Sequence, residues 1–215
     1  ADAIYQNLTF LKNSHEPYYP ASITKIMTTL IAIEKGKMDD IVTFSADAVY
    51  KNEGDTSHIS RDLEEKMTLE QCLYGVMLES ANECAYAVAE HIGGGDVSKF
   101  VDMMKAQLKD WGITDAKIVN ASGLNNSYLG DNIYPGSKSD EENTMSAKDV
   151  AIIAQHVVKE YPEILDITKK TEADFDGVNK LKTFNYMLKG QPSYRKGVDG
   201  LKTGTTDLAG ASFVA

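Results

Sequence analysis

The sequence predicts an α+β fold, with strands near the two chain ends and a block of helices between them. Three observations carry that prediction. Short β-type runs lie at Leu8–Lys12, Val198–Thr206 and Ala211–Val214. Through the middle, apolar residues recur at the i, i+3, i+4, i+7 spacing of helices that bury one face. Residues that start helices stand just ahead of those runs. Terminal strands that share an antiparallel sheet, packed on a helical lobe, would leave a natural site at their junction.

Taken in order, Leu8–Lys12 is followed by a polar loop through His15-Glu16-Pro17, and Pro20 suits the entry to a first helical turn. Ile23, Ile26, Met27, Leu30 and Ile31 form a single stripe, and Gly36 is a stop. Residues 41–67, which include Gly54 and several charges, read as short strands and loops. Thr68-Leu69-Glu70-Gln71 is a capping box for a helix that runs to about Leu78. A second helix follows Asn82 and ends at Gly93-Gly94-Gly95. Asp96 caps a third that carries Val97, Phe100, Val101, Met104 and Leu108 on one face. Residues 112–145, rich in Gly, Asn, Ser and Asp, read as surface loop with short strands. Ser146 caps a helix bearing Val150, Ile153, Ala154 and Val157, which Tyr161-Pro162 interrupts. The chain then reaches the strand Val198–Thr206, a turn over Asp207–Gly210 and the partner strand Ala211–Val214.

With 215 residues the chain can bury a sizeable core. A formal net charge of −10 and the absence of any Lys/Arg cluster argue against nucleic-acid binding. No run approaches the roughly 18 apolar residues of a membrane span. The two cysteines, Cys72 and Cys84, occupy helical positions that would suit Leu or Ala and read as free buried thiols. Two cysteines do not make a zinc site alone, and His15, His58, His91 and His156 show no ligand spacing near them, so no metal is expected.

Three short motifs could carry chemistry. Ser22 and Lys25 are i and i+3 at the start of an apolar helix and so share a face. A serine hydroxyl needs a base, and a lysine becomes one when burial or a neighbouring cation lowers its pKa. Ser193 and Lys196 repeat the spacing, but in a loop with no apolar helix to bury the amine. Ser80 and Asn82 lie at a helix junction, where they either project into a cleft or simply cap. Lys202-Thr203-Gly204-Thr205 lies on the late strand. There, lysine and two hydroxyls suit a carboxylate and Gly204 allows a substrate backbone to approach, unless the glycine only marks a bulge.

In this order, Ser-x-x-Lys, Ser-x-Asn and Lys-Thr-Gly resemble the penicillin-binding and serine β-lactamase superfamily. Within it the chain is most similar to the low-molecular-weight D-alanyl-D-alanine carboxypeptidases. The stretches that carry the likeness are "YPASITKIMT" (19–28), "LYGVMLESANECAYAVAEHIGG" (73–94), "NASGL" (120–124), "MSAKDVAIIAQ" (145–155) and "GVDGLKTGTT" (197–206).

The resemblance implies a nucleophile, Ser22, with Lys25 as its general base. Ser80 and Asn82 would line the cleft, Ser80 would help move a proton to the leaving group, and Lys202 would complete the polar network. Thr203 and Thr205 would bind the terminal carboxylate, and the N–H groups of Ser22 and Thr205 would form the oxyanion hole. The implied substrate is a peptidoglycan stem peptide ending in D-Ala-D-Ala, β-lactams are implied covalent inhibitors, and no cofactor is needed. The implied location is extracytoplasmic, in a bacterium. The resemblance also implies further strands, a helix and a β-rich domain with a membrane-anchoring tail, so residues 1–215 read as a single transpeptidase-like catalytic domain without them. Two alternatives stand beside this reading. One is a serine β-lactamase, but the second motif is Ser-Ala-Asn rather than Ser-Asp-Asn, and no Glu-x-x-Leu-Asn follows Glu141 or Glu142. The other is a non-catalytic peptidoglycan- or β-lactam-binding module.

Overall fold

The computed structural model describes residues 12–52, 55–174 and 179–215. The strand expected over Leu8–Lys12 lies, except for Lys12, outside the described residues, as does Gly54.

The architecture is α+β, and its core is helical. After β1 (Pro17–Tyr18) and a 3₁₀ turn (Ala21–Thr24) comes α1 (Lys25–Lys35). The expected single apolar stripe understates α1, because every residue from Lys25 to Ala32 is buried. This helix runs through the middle of the lobe, with α3 (Leu69–Leu78), α4 (Asn82–Ile92), α5 (Val97–Asp110) and α6 (Ala147–Glu160) against it. Leu30, Leu73, Val76, Ala85, Val88 and Phe100 are inaccessible to solvent. A helix that buries all its faces supplies fixed ground for side chains at its first turn.

The starts of the surrounding helices follow local chemistry. Thr68 accepts from the Gln71 N–H while the Gln71 side chain accepts from Thr68 N–H, a reciprocal capping box. Ser146 and Asp149 repeat it at α6, and Asp96 accepts from Ser98 N–H at α5. Pro162 stands between α6 and a short α7 (Glu163–Thr168).

The segment 41–67 holds more order than expected. It carries β2 (Ile41–Thr43), which pairs with β3 (Lys66–Thr68), and between them a helix, α2 (Ala46–Asn52). Seven residues containing Asp47, Tyr50 and Lys51 show too little period to announce a helix. Ser45 starts it by accepting from Ala48 N–H, and Ala48 and Val49 dock inward.

The described strands pair in four two-stranded antiparallel ladders. β1 pairs with β4 (Met145–Ser146), and β5 (Glu172–Asp174) pairs with β6 (Lys180–Lys182). The hairpin of β7 (Lys202–Thr206) and β8 (Gly210–Val214) packs on the 3₁₀ turn that bears Ser22. The strand expected from Val198 begins at Lys202, because Gly200 gives its carbonyl to the Asn185 side chain and main-chain pairing starts only with Leu201 N–H to Val214 O.

Candidate active site

Ser22 stands in the 3₁₀ turn, not in the α-helix the sequence suggests, and Lys25 is the first residue of α1. The difference matters for geometry. In a 3₁₀ turn residues i and i+3 eclipse, so the two side chains stand directly one above the other. Lys25 Nζ lies 2.9 Å from Ser22 Oγ.

The amine has two further partners, Asn82 Oδ1 at 2.7 Å and the carbonyl oxygen of Ser122 at 2.7 Å. Both oxygens can only accept, so they take two N–H bonds. In a neutral amine the lone pair is then left for the Ser22 hydroxyl proton. Lys25 is wholly buried, and burial, reinforced by the charge of Lys202, holds its pKa well below the ordinary lysine range. Glu83 and Cys84 act in the opposite direction with less effect.

Asn82 is pinned from its other end, its Nδ2 donating to Ser57 O at 3.0 Å. Its predicted neighbour Ser80 is 4 % exposed and lines the same groove as Ser22. Ser80 has φ +60° and Ala21, just before Ser22, has φ +49°. Left-handed backbone at two non-glycine residues is costly and is held here by the packing around the site.

Lys202 lies at the start of β7, 2 % exposed, its Nζ donating to Thr203 O at 3.0 Å. Burial pulls its pKa down to about 7. Thr203, Gly204 and Thr205 line the groove beside Ser22. A Cβ on Gly204 would lie 2.9 Å from Pro20 O and 3.1 Å from Ser22 N, so only glycine lets the strand run against the turn that bears Ser22. The structure therefore brings Ser22, Lys25, Ser80, Asn82, Lys202, Thr203, Gly204 and Thr205 to one junction of hairpin and helices. Ser193 and Lys196 of the second Ser-x-x-Lys are exposed in their loop.

The sequence reading missed the support under Lys25. Residues 112–145 are not simply surface loop, for Asn120, Ser122, Asn126, Glu142 and Asn143 are buried. The Asn143 side chain accepts from Val119 and Asn120 N–H and donates to Thr24 Oγ1, tying this segment to the first motif. Ser122 thus presents its carbonyl to Lys25. The usable signal was "NASGL", a run of small polar residues in which asparagine can satisfy buried backbone. Glu142 accepts from Thr206 Oγ1 at 2.9 Å and so fastens the segment to β7.

The site opens in two directions from Ser22. One groove, about 650 Å³, runs over Ser80, Thr203 and the loop around Arg195. The other, about 620 Å³, runs past Asn82, Glu142 and Asp207.

The fold places the chain among penicillin-binding D,D-peptidase folds. Penicillin-binding protein 3 of Streptococcus pneumoniae, described as a peptidoglycan synthesis regulatory factor, superposes with a TM-score of 0.89 at 47% identity, covering 95% of this chain and 58% of that one. Penicillin-binding protein D2 of Listeria monocytogenes, in its ampicillin-bound form, has a TM-score of 0.75 at 23% identity, over 94% and 75% of the two chains, a likeness of fold. The sequence profile of the D-alanyl-D-alanine carboxypeptidases, peptidase family S11, matches residues 7–215, and the chain belongs to that family. D-alanyl-D-alanine carboxypeptidase DacF of Bacillus subtilis is 35% identical over 208 residues, 92% of this chain and 47% of the relative. The chain spans about half the length of the curated relatives it matches.

Proposed function

We propose that the chain is the catalytic domain of a serine D,D-carboxypeptidase that removes the terminal D-Ala from peptidoglycan stem peptides. The observation that carries the reading is the buried Lys25 amine, which stands 2.9 Å from Ser22 Oγ while it donates to two carbonyl oxygens at 2.7 Å. Family membership supplies the substrate class.

In this reading Ser22 Oγ attacks the carbonyl carbon of the D-Ala-D-Ala peptide bond while Lys25 takes its proton. The oxyanion forms against the N–H groups of Ser22 and Thr205. The intermediate collapses as the leaving nitrogen gains a proton through Ser80, with Lys202 and Asn82 completing the network. D-Ala departs, and the stem peptide remains as an ester of Ser22. Water then cleaves the ester, which restores the serine hydroxyl and releases the shortened peptide. Thr203 and Thr205 hold the terminal carboxylate. A β-lactam enters the same sequence as a strained amide whose leaving group stays tethered. Chemistry of this kind belongs on the outer face of a bacterial membrane, where peptidoglycan lies. Among the described residues no helix is long and apolar enough to cross a membrane.

Intact-mass measurement after excess penicillin tests the reading, with Ser22→Ala as control. The expected outcome is a one-to-one adduct lasting many minutes, absent in Ser22→Ala. Rapid penicillin consumption without a lasting adduct would mark a β-lactamase, and neither adduct nor consumption a binding module.

A further inference from the structure

We propose, on the reading of Lys25 as the base that takes the Ser22 proton, that Glu83 is a positioning residue of this site: its buried carboxylate fastens residues 57–59 to the start of α4 and sets a negative charge beside the Lys25 amine. Glu83 lines neither groove, so it acts through its neighbours rather than on the substrate.

Asn82 serves Lys25 in only one orientation. Its Oδ1 must face the amine, 2.7 Å away, and its Nδ2 must face elsewhere. The Ser57 carbonyl decides this, because it accepts from both Asn82 Nδ2 at 3.0 Å and Asn82 N–H at 2.9 Å. A carbonyl oxygen only accepts, so the amide cannot turn over without losing this bond. Residues 57–62 belong to no helix or strand, so no ladder holds Ser57 in place. Two residues further on, Ile59 N–H donates to Glu83 Oε1 at 2.5 Å. The Ile59 carbonyl accepts in turn from Arg61 Nε at 3.2 Å and Nη2 at 2.9 Å. The loop is thus pinned at Ser57 by Asn82 and at Ile59 by Glu83, two consecutive residues of α4.

The bond to Ile59 asks only for an acceptor, which a glutamine side chain also offers. Glutamate adds a charge, and Glu83 is inaccessible to solvent, where a charge is costly to keep. Its place in the first turn of α4 favours an anion. The charge finds its use at Lys25. The titratable groups that act on that amine are Lys202 on β7, and Glu83 and Cys84 on α4, while Arg61 in the loop acts on Cys84. Burial first and Lys202 second lower the pKa of Lys25, and Glu83 is the larger of the two influences that raise it. Cys84, whose thiol burial pushes well above its ordinary value, stays uncharged. The Glu83 carboxylate therefore keeps the buried amine from becoming too weak a base, and a weaker base takes the serine proton more slowly.

The pH dependence of Ser22 acylation by penicillin, followed by intact mass on the full chain, tests both roles. The rate is expected to rise with pH as Lys25 sheds its proton. Glu83→Gln keeps an acceptor for Ile59 N–H and removes the charge, so the amine sheds its proton more easily and the midpoint should fall by about 0.5–1 pH unit. Glu83→Asp keeps the charge on a side chain one methylene shorter. Its midpoint should match the wild type, while its plateau rate falls about 3- to 10-fold as Ile59 and Ser57 come loose. An unshifted midpoint in Glu83→Gln would leave Glu83 a merely structural acceptor and overturn the proposal, as would a wild-type plateau rate in Glu83→Asp. If circular dichroism shows Glu83→Gln unfolded, Glu83→Asp decides: a kept midpoint with a lowered rate supports the proposal and any other profile overturns it. If the wild-type chain is not acylated at any pH, the functional reading falls and the proposal with it. Acylation of the wild type with wild-type profiles in both variants removes Glu83 alone.

Discussion

Two buried lysines within one site make an unusual residue-scale arrangement, since Lys202 adds to burial in disfavouring the charge of Lys25. Burial first, and Lys202 second, hold the pKa of Lys25 well below the ordinary range, as the base role proposed for it requires. The same physics makes stability depend on pH. The ordinary lysine value is 10.5, and in the folded chain Lys202 falls to about 7. Below about 7 both folded and unfolded chains carry the proton, and the fold bears the full cost of a buried ammonium. Between about 7 and 10.5 the unfolded chain holds a proton that the folded chain has shed, so stability rises with pH. The slope approaches about 1.4 kcal/mol per pH unit for one such group. Above 10.5 the relief is complete. Urea midpoints measured from pH 7 to 9 should therefore rise in the wild type. In Lys202→Met, which keeps the volume and removes the titration, the rise should be clearly shallower. An equal slope in the two proteins would show that Lys202 does not shed its proton in the fold.

At the scale of elements, the site depends on close approach between a turn, a loop and a strand. Gly123 has φ +82°, and a Cβ there would lie 1.9 Å from Ala21 O. Gly123→Ala is thus expected to cost about 2–4 kcal/mol, from backbone strain and a contact that cannot relax without moving the Ser22 turn. Its penicillin acylation rate should fall by more than tenfold even at temperatures where the chain is folded by circular dichroism. Normal acylation would mean that the loop shifts without displacing Ser22. What the sequence disclosed at this scale follows from how local the causes are. Thr68 with Gln71, Ser146 with Asp149, and Asp96 each cap within three residues, so α3, α6 and α5 could be read directly. The helix α2 is short and polar and is held by docking, which no local pattern records. The three motifs were legible because each spans three or four residues. The carbonyl of Ser122 and the links made by Asn143 were not, because they act across more than twenty residues or on main-chain atoms.

For the molecule as a whole, the helical lobe and the Ser22 turn are expected to unfold as one cooperative unit, because α1 is both the centre of the core and the helix that begins at Lys25. Cys72 on α3 and Cys84 on α4 are free, wholly buried thiols within that core and so report on it. Burial, followed by the hydrogen bond with Cys72, pushes the Cys84 thiol well above its ordinary value, which suppresses the reactive thiolate. In the native protein neither cysteine should react with iodoacetamide over hours at pH 8, whereas both should react within minutes in strong denaturant. Through a urea series, the labelled fraction should then track the loss of helical circular dichroism and the loss of penicillin acylation, with one midpoint for all three. Labelling that precedes the loss of acylation would mean that α3 and α4 open while Ser22 and Lys25 stay in register. The geometry makes that hard to achieve. Asn82, which holds Lys25 Nζ at 2.7 Å, is the first residue of the helix that carries Cys84, so opening that helix to a reagent removes a partner from the Lys25 amine.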